Sequence, residues 1–464
     1  MARIRFCAQA LVSSFAVLSI AAGATAGVAE SVWIAARSGY AAPSVPGYSF
    51  NGLFSDNASA PLPAPMLAGE LLVLSGSLRQ GSLAPPADRG LWMFGSDGQS
   101  RLVARQGQAA PGTSAGTNFQ LLSTTTADSQ GRVLIVASLS GPDVDPSVNA
   151  SGLWCADSSS TTLAIRVGDI APETSPVGNF RSFFEGLAFD GSEGLGVGVS
   201  AYVASLPGQP PTLPLTTGIW AWRGTSLEML YWTHGTPPGL PGNFLRETGS
   251  SISPSGHGAF YGRFEGPAVT TVVVNGVTVI SDWCVWRTSP DSQELLARTG
   301  SPAPGTPTGV VFWSLPGSAA RPAVNASGDI VFSGMLAGPG VSTPNWSGLW
   351  RSSASGVSLL ARSGSPATAA GTGVVFDGLT SNSSDGSLAV MDNGDAVFWT
   401  YFAGTGVNLG NCRGIYKRSP TNTDTLIARA GVSNPALPTG TTLVRTMLPR
   451  AMKAAGDDHV MFTS

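Results

Sequence analysis

Few residues of this chain are of the kinds that do chemistry, and they do not converge. The histidines are His234, His257 and His459. They fall at non-equivalent places in three different segments. No partners can be nominated for a zinc site or for a Ser-His-Asp triad. Surface or turn histidines are the reading that fits. Asp392-Asn393-Gly394-Asp395 has the look of a calcium loop. The acidic residue further on that would complete an EF-hand is missing, so a hairpin turn explains it as well. Asp190-Gly191-Ser192-Glu193 is no stronger. A P-loop, a GxGxxG after a strand, an HExxH and a GxSxG in a suitable context are all missing. The expectation is therefore no catalytic residue, no metal and no cofactor.

What organises the chain is a repeated phrase, clearest over 322–376. A Gly-Asp turn leads into an apolar strand (Gly328, Asp329, Ile330, Val331, Phe332). Gly348-Leu349-Trp350 follows. Then comes Leu359-Leu360-Ala361-Arg362-x-Gly364, a Pro-rich link and the aromatic Phe376. The Arg recurs at Arg37, Arg105, Arg166, Arg298, Arg362 and Arg429, with Thr233 in its register in one degenerate copy. The steps between them are 68, 61, 67, 65, 64 and 67 residues. The strand aromatic recurs at Trp92, Trp154, Trp220, Trp286, Trp350 and Tyr416, always 12 or 13 residues before the Arg register. A third register runs through Phe50, Phe119, Phe180, Phe244, Phe312, Phe376 and Leu443. Three registers held in step through seven copies signal a propeller, solenoid or array.

Composition agrees with short strands and tight turns. Of 464 residues, 42% are apolar and 11% charged, with 59 Gly and 34 Pro. This suits turn-rich β structure rather than amphipathic helices. The net charge of −3 and only two lysines, Lys417 and Lys453, give no reason to expect nucleic acid or an anionic membrane as partner. Residues 1–26 read as a secretory signal. Arg3 and Arg5 are followed by an apolar run from Ala8 to Ala22 and by Ala24-Thr25-Ala26 before Gly27. That run is short for a spanning helix, and no second membrane segment appears. The expectation is a secreted protein, extracellular or periplasmic and of bacterial type, with 27–464 as one domain, monomeric by default. Cys155, Cys284 and Cys412 follow the signal. An odd number leaves at least one thiol unpaired, and three small buried residues is the simplest reading.

Each repeat offers four strands, A to D. In the 299–362 copy, A lies within 311–325, B is about 329–336, C about 348–353 and D about 357–362. Ser-Gly, Asn-Gly and Gly-Asp turns separate A from B and C from D. Four antiparallel strands per unit of about 65 residues, seven times over, predict an all-β, seven-bladed β-propeller. The chain opens on a D-like strand, 31–37, and ends on a B-like strand, 456–462. A ring closed by a last blade split between the termini explains this. That split repeat lacks a Gly-Leu-Trp strand, so its blade is expected to be three-stranded unless the native chain runs further.

Asn325-Ala326-Ser327-Gly328-Asp329-Ile330-Val331-Phe332 and Asp392-Asn393-Gly394-Asp395-Ala396-Val397-Phe398 resemble the NxxGxxxF-type tandem repeats of secreted bacterial proteins. Ala297-Arg298-Thr299-Gly300-Ser301-Pro302-Ala303-Pro304-Gly305 resembles a phrase that often accompanies them. The resemblance implies a surface or extracellular protein of uncharacterised function, and it brings no catalytic residues.

In a four-stranded blade the B–C and D–A connections share one edge. The B–C connections, 201–217, 263–281, 337–347 and 401–413, vary most in length and content. Variable loops on a rigid scaffold are where binding usually lives. Tyr202, Trp346, Tyr401 and Phe402 are the aromatic candidates there. The recurring Arg is expected to satisfy loop carbonyls or pair with a neighbouring blade, and the recurring Trp to pack between blades. The leading expectation is a non-enzymatic scaffold or recognition module for a glycan, peptide or surface partner. The alternatives are a polysaccharide hydrolase or lyase with acids gathered at the channel, and a structural envelope component without a discrete ligand.

Overall fold

The computed structural model describes residues 40–432, apart from 54–65, 69–70, 81–87, 96–98, 128–131, 175–176, 184–187, 190–196, 206–215, 224–225, 233–239, 254–256, 290–291, 316–320 and 380–387. It also describes the strands at 15–20, 31–37, 452–455 and 459–462. The fold is all-β and of the β-propeller type. Apart from strands, the described elements are two one-turn 3-10 helices, Thr343–Asn345 and Thr368–Ala370. No described helix is long and apolar enough to cross a membrane. The chain divides into two compact units, residues 6–215 with 222–228, and residues 1–5 with 216–221 and 229–464.

Within the 311–362 blade the expected strands form nearly where the turns predict them. A is Val311–Ser314 with Ala323–Val324, B is Ile330–Ala337, C is Ser347–Ser353 and D is Gly356–Arg362. Five sheets follow this antiparallel A–B–C–D path, spanning 48–105, 118–166, 243–298, 311–362 and 374–429. A sixth sheet, over 170–232, departs from it. Its path has five strands, and a further short strand, Ala188–Phe189, pairs alongside.

The expected seven blades are therefore corrected to five, and among the described residues the split closing blade does not form. Ser31–Arg37 pairs with Phe15–Ile20, from inside the expected signal segment, and His459–Phe462 pairs with Met452–Ala455. These are separate two-stranded sheets. The physical reason is the strand the split repeat lacks. Without a C strand there is nothing to hold the D-like strand beside a B strand.

The register aromatics form the core. Trp92, Trp154, Trp220, Trp286, Trp350 and Tyr416 are each 0% exposed. The third-register aromatic meets them edge-on within the same sheet. Phe50–Trp92, Phe119–Trp154, Phe312–Trp350 and Phe376–Tyr416 have ring centroids 4.7–5.0 Å apart. A pair of this geometry contributes about 0.5–1.5 kcal/mol beyond burial. Three of these indole N–H groups donate to a proline carbonyl of the preceding D–A link: Trp92 to Pro43, Trp154 to Pro111, Trp350 to Pro304, at 2.9–3.0 Å. Trp350 and Phe312 also pack against Ala259, Tyr261 and Val285 of the preceding blade. The expected packing role of the Trp between blades is what the structure shows.

Neighbouring blades are also joined by polar contacts. Asn325 accepts from the Asp329 amide across its own A–B turn and donates to the Met391 carbonyl of the next blade. The buried Tyr261 hydroxyl accepts from the Ser333 amide at 3.1 Å. Burial pushes its pKa up to about 12.

The glycine of Gly-Leu-Trp is required by the indole, which folds back over it. A methyl group at Gly348 would lie 2.7 Å from Cη2 of Trp350, and at Gly152 2.8 Å from Cη2 of Trp154. Gly348→Ala must displace a ring that fills the core. Overpacking of this kind costs about 1–3 kcal/mol. The expected result is a lower midpoint in denaturant unfolding, with Ser358→Ala on the exposed face of strand D unchanged.

Candidate functional site

Several of the described B–C connections are held by their own hydrogen bonds. Three of them are built on one frame. Each opens with a glycine, Gly141, Gly338 or Gly404, held at φ +153°, +144° or +108°. A side chain there would meet the end of the D–A link of the same blade; at Gly338 a methyl group would lie 2.6 Å from the Gly309 carbonyl. The glycine carbonyl accepts from the amide three residues on, Val144, Val341 or Val407. An asparagine then clamps the loop. Asn149, Asn345 and Asn411 accept through Oδ1 from the amides of Asp145, Ser342 and Asn408 at 2.7–2.8 Å. Through Nδ2 they donate to the carbonyls of Asp143, Gly340 and Gly406 at 2.9–3.2 Å.

The recurring arginine completes the frame. Arg166, Arg362 and Arg429 donate through Nε to the backbone carbonyls of Asn149, Asn345 and Asn411 at 2.7–3.0 Å. Arg105 does the equivalent with a side chain. Its guanidinium pairs with the Asp88 carboxylate, and this hydrogen bond raises its pKa despite some burial. The guanidinium is thus structural, as expected, and its partner is the loop of its own blade. A rigid fork with donors in fixed directions suits this task.

Set in this frame, Trp346 is the exposed residue of the 337–347 loop. It follows Asn345 directly, and its ring is 37% exposed. It stacks on Trp313 of strand A, with centroids 5.9 Å apart and planes at 27°. Ser342 and Thr343 are exposed beside it in the same loop. Trp313 rests in turn on a small apolar cluster of Val279, Val311 and Ala337. The pairing of Trp346 with Trp313 was not foreseen, because Trp313 sits inside a strand.

The other aromatic candidates lie elsewhere. Strand B of the last regular blade is Ala396–Gly404, longer than expected, so Tyr401 and Phe402 belong to a strand and not to a loop. Phe402 is buried in the core with Phe376, Phe398 and Tyr416, which removes it as a contact residue. Tyr401 points to the other face of the strand. It meets Trp399 edge-on at 4.5 Å, and the Arg413 guanidinium lies over its ring at 5.3 Å. Tyr202 likewise lies within a strand, Val197–Ser205, paired opposite Ser182.

The polar candidates are structural where they are described. Asp395 pairs with Lys417 at 2.7 Å, and Asp392 accepts from the Ala326 amide of the preceding blade, so this segment is a hairpin turn in use between blades. His257 lies against Gly328. His234 lies outside the described residues. Cys155 and Cys284 are buried and Cys412 is half-buried, and all three are free thiols. Burial pushes the Cys284 thiol far up. Among the described residues no group of three His, Cys, Asp or Glu could hold a metal ion.

The frame yields a direct test. Asn345→Ala removes two loop hydrogen bonds, each contributing about 0.5–1.5 kcal/mol. The Ser342 amide should then exchange hydrogen faster while amides of strand B, Ile330–Ala337, keep their protection. Asn345→Asp retains the acceptor and should fall between the two.

The sequence model of a family of unknown function (DUF7453) matches residues 20–221, 146–279 and 196–433. The overlap of the three matches is what a repeating chain produces. No curated protein matches. Among solved structures, an α-L-arabinanase of Penicillium chrysogenum complexed with arabinobiose is similar at 11% identity and a TM-score of 0.30, covering 75% of this chain and 90% of that one. A GH93 α-L-arabinofuranosidase of Fusarium graminearum gives 10% and 0.29, covering 78% and 90%. An exo-β-1,3-galactanase of Clostridium thermocellum gives 11% and 0.20, covering 80% and 92%. Likenesses this distant carry no argument about activity.

Proposed function

The chain belongs to DUF7453, a family of unknown function, and we propose that it is an exported recognition module that holds a carbohydrate on the B–C loop edge of its blades. One observation carries this reading: the Trp313–Trp346 stack, with one ring partly open to solvent. An aromatic ring offers an apolar plane to the C–H face of a sugar, and the loop hydroxyls beside it can meet the sugar's own. The stack stands on a framed loop, so little ordering is left for binding to do.

The same ligand class serves a second reading, a propeller hydrolase or lyase acting on polysaccharide. That chemistry asks for two carboxyl groups free to take up and release protons near the sugar. Several described carboxylates are committed elsewhere: Asp88 to Arg105, Asp329 to Arg351, Asp395 to Lys417 and Asp424 to Arg418. Asp424 is pushed up by burial, yet its bonds to Arg418 and Thr368 hold it below the usual carboxylate range. A group so stabilised as the anion is a poor general acid. The Trp313–Trp346 stack is what favours binding.

Affinity electrophoresis in gels containing arabinan, galactan or xylan tests it, with chromatography of the same mixtures for released sugars. The chain should be retarded by at least one of them. Trp346→Ala should weaken that binding about tenfold, which corresponds to about 1.4 kcal/mol, with unchanged unfolding. Free migration in every gel, or equal retardation of Trp346→Ala, overturns the proposal. Released sugar favours the enzyme.

A further inference from the structure

The 243–298 blade uses the loop frame of its neighbours, with one change. Its opening glycine is Gly266, whose carbonyl accepts from the Val269 amide. Ser281 stands where the others have asparagine. Its Oγ accepts from the Thr270 amide at 2.7 Å, and its carbonyl accepts from Nε of Arg298 at 2.9 Å. Between Thr270 and Ser281 the frame carries a complete hairpin, Thr271–Val274 and Val277–Ile280, turning at Asn275-Gly276.

Strand pairing sets Val272, Val274, Val277 and Val279 on one face of the hairpin, with Val273 and Ile280 on the other. The valine face lies against the next blade, most closely at Val279. That residue is buried in one cluster with Val311 and Ala337, and Val274 and Trp313 pack against the same cluster. Val272 and Val279 also close over Gly300 of the D–A link, 3.8 and 3.9 Å from the place a methyl group would take there. At the tip, Asn275 donates through Nδ2 to the carbonyl of Gly338 at 3.5 Å, the glycine that opens the Trp346 loop.

Trp313 is aimed at the hairpin by its backbone. Strand A pairs Phe312 with Leu336 and Ser314 with Met335, so Trp313 is the extra residue of a β-bulge. The same bulge follows Phe50, Phe119, Phe180, Phe244 and Phe376, and its extra residue is Asn51, Gln120, Arg181, Leu245 or Asp377. A bulge takes a side chain out of the ladder and re-aims it. Arg181 shows the direction, since its Nη1 donates to the Ser147 carbonyl in the B–C loop of the preceding sheet. Trp313 meets the B–C hairpin of its preceding blade in the same way. It alone of the six is an indole, and Trp346 stacks on it.

We infer that the 271–280 hairpin is a positioning element of the proposed site: Val279, lent by the preceding blade, holds the bulged Trp313, and Trp313 holds Trp346. Two blades thus build the site together. A ring whose neighbour is fixed has less freedom to lose when a ligand covers it. The placing of the rings is independent of what binds, while its effect on affinity rests on the carbohydrate reading.

The full chain labelled with 5-fluorotryptophan tests this by fluorine NMR, with Trp313→Phe and Trp346→Phe assigning the two resonances. Val279→Ala should shift or broaden both, and Val274→Ala, at the half-buried end of the cluster, should do so less. Val273→Thr, on the outward face, should leave both unchanged. Amide protection of strand B, Gly258–Glu265, reports whether the blade is kept, and Val274→Ala carries the test if Val279→Ala does not fold. In gels containing arabinan, galactan or xylan, Val279→Ala should be retarded about fivefold more weakly than the unaltered chain, the cost of ordering one side chain on binding. A Trp346 resonance unmoved by both valine substitutions overturns the inference. So does full retardation of Val279→Ala by a polysaccharide that Trp346→Ala no longer binds, and the carbohydrate reading then stands. If the resonances move but no polysaccharide retards the unaltered chain, the positioning is upheld and the carbohydrate reading alone fails.

Discussion

Three of the blades are fastened through a buried indole whose one polar atom meets a carbonyl of the D–A link. A tryptophan at 0% exposure contributes a large apolar surface and carries a donor that water cannot reach. Leaving that donor unmet would cost about 1–3 kcal/mol. The D–A link resolves this by delivering a carbonyl, from Pro43, Pro111 or Pro304. Proline is suited to the task, since its ring fixes the local backbone and it has no N–H of its own to satisfy. One hydrogen bond therefore fills the core and also fastens the link to the blade. Where tyrosine replaces tryptophan, at Tyr416, the hydroxyl accepts from the Ala369 amide of the corresponding link. The atom changes, while the fastening of link to core is kept.

This fastening meets a second one at the same end of strand C. The glycine two residues before the aromatic lies under the ring, and the loop that leads into it is closed by the Asn and Arg frame. Both connections on the B–C edge are thereby fixed, one through the indole and one through the guanidinium. Variation is confined to the few residues between the capped amide and its cap.

The strands and the core were legible in the sequence because their demands are strict and periodic. Where the indole folds back on its own strand, as at Trp154 and Trp350, it needs a glycine two residues earlier and meets a phenylalanine, so Gly348, Trp350 and Phe312 have counterparts in register, although Cys284 takes the glycine's place before Trp286. The asparagine clamp was less visible. Asn149, Asn345 and Asn411 stand at similar offsets before the arginines, but Asp88 and Ser281 take that register in other blades by different chemistry. The signal was present as a glycine, a valine three on and an asparagine ahead of Gly-Leu-Trp. Phe402 was misplaced for a different reason. The B strand runs on to Gly404, and period-two alternation then carries Phe402 inward with Phe398. The closing blade was misjudged because strand-like sequence at the two ends does not supply the missing C strand.

The hairpin insert shows how the frame accepts a foreign segment. In the short loops asparagine supplies two bonds, an acceptor for one amide and a donor for the carbonyl two residues after the opening glycine. The Ser281 hydroxyl is engaged with Thr270 and with Arg298 instead. Arg298 takes over, its Nη2 reaching the Ala268 carbonyl, which occupies the same place as Gly340 and Gly406, and also the Ser281 Oγ. The Ser281 amide donates to the Thr270 carbonyl, so the hairpin ladder itself closes the loop ends. A short loop needs the longer side chain because it has no ladder. A long insert provides its own ladder, which frees that position to shrink. The frame is thus kept as a set of satisfied backbone groups rather than as a set of residues, and this lets one blade carry a hairpin where its neighbour carries a two-residue turn.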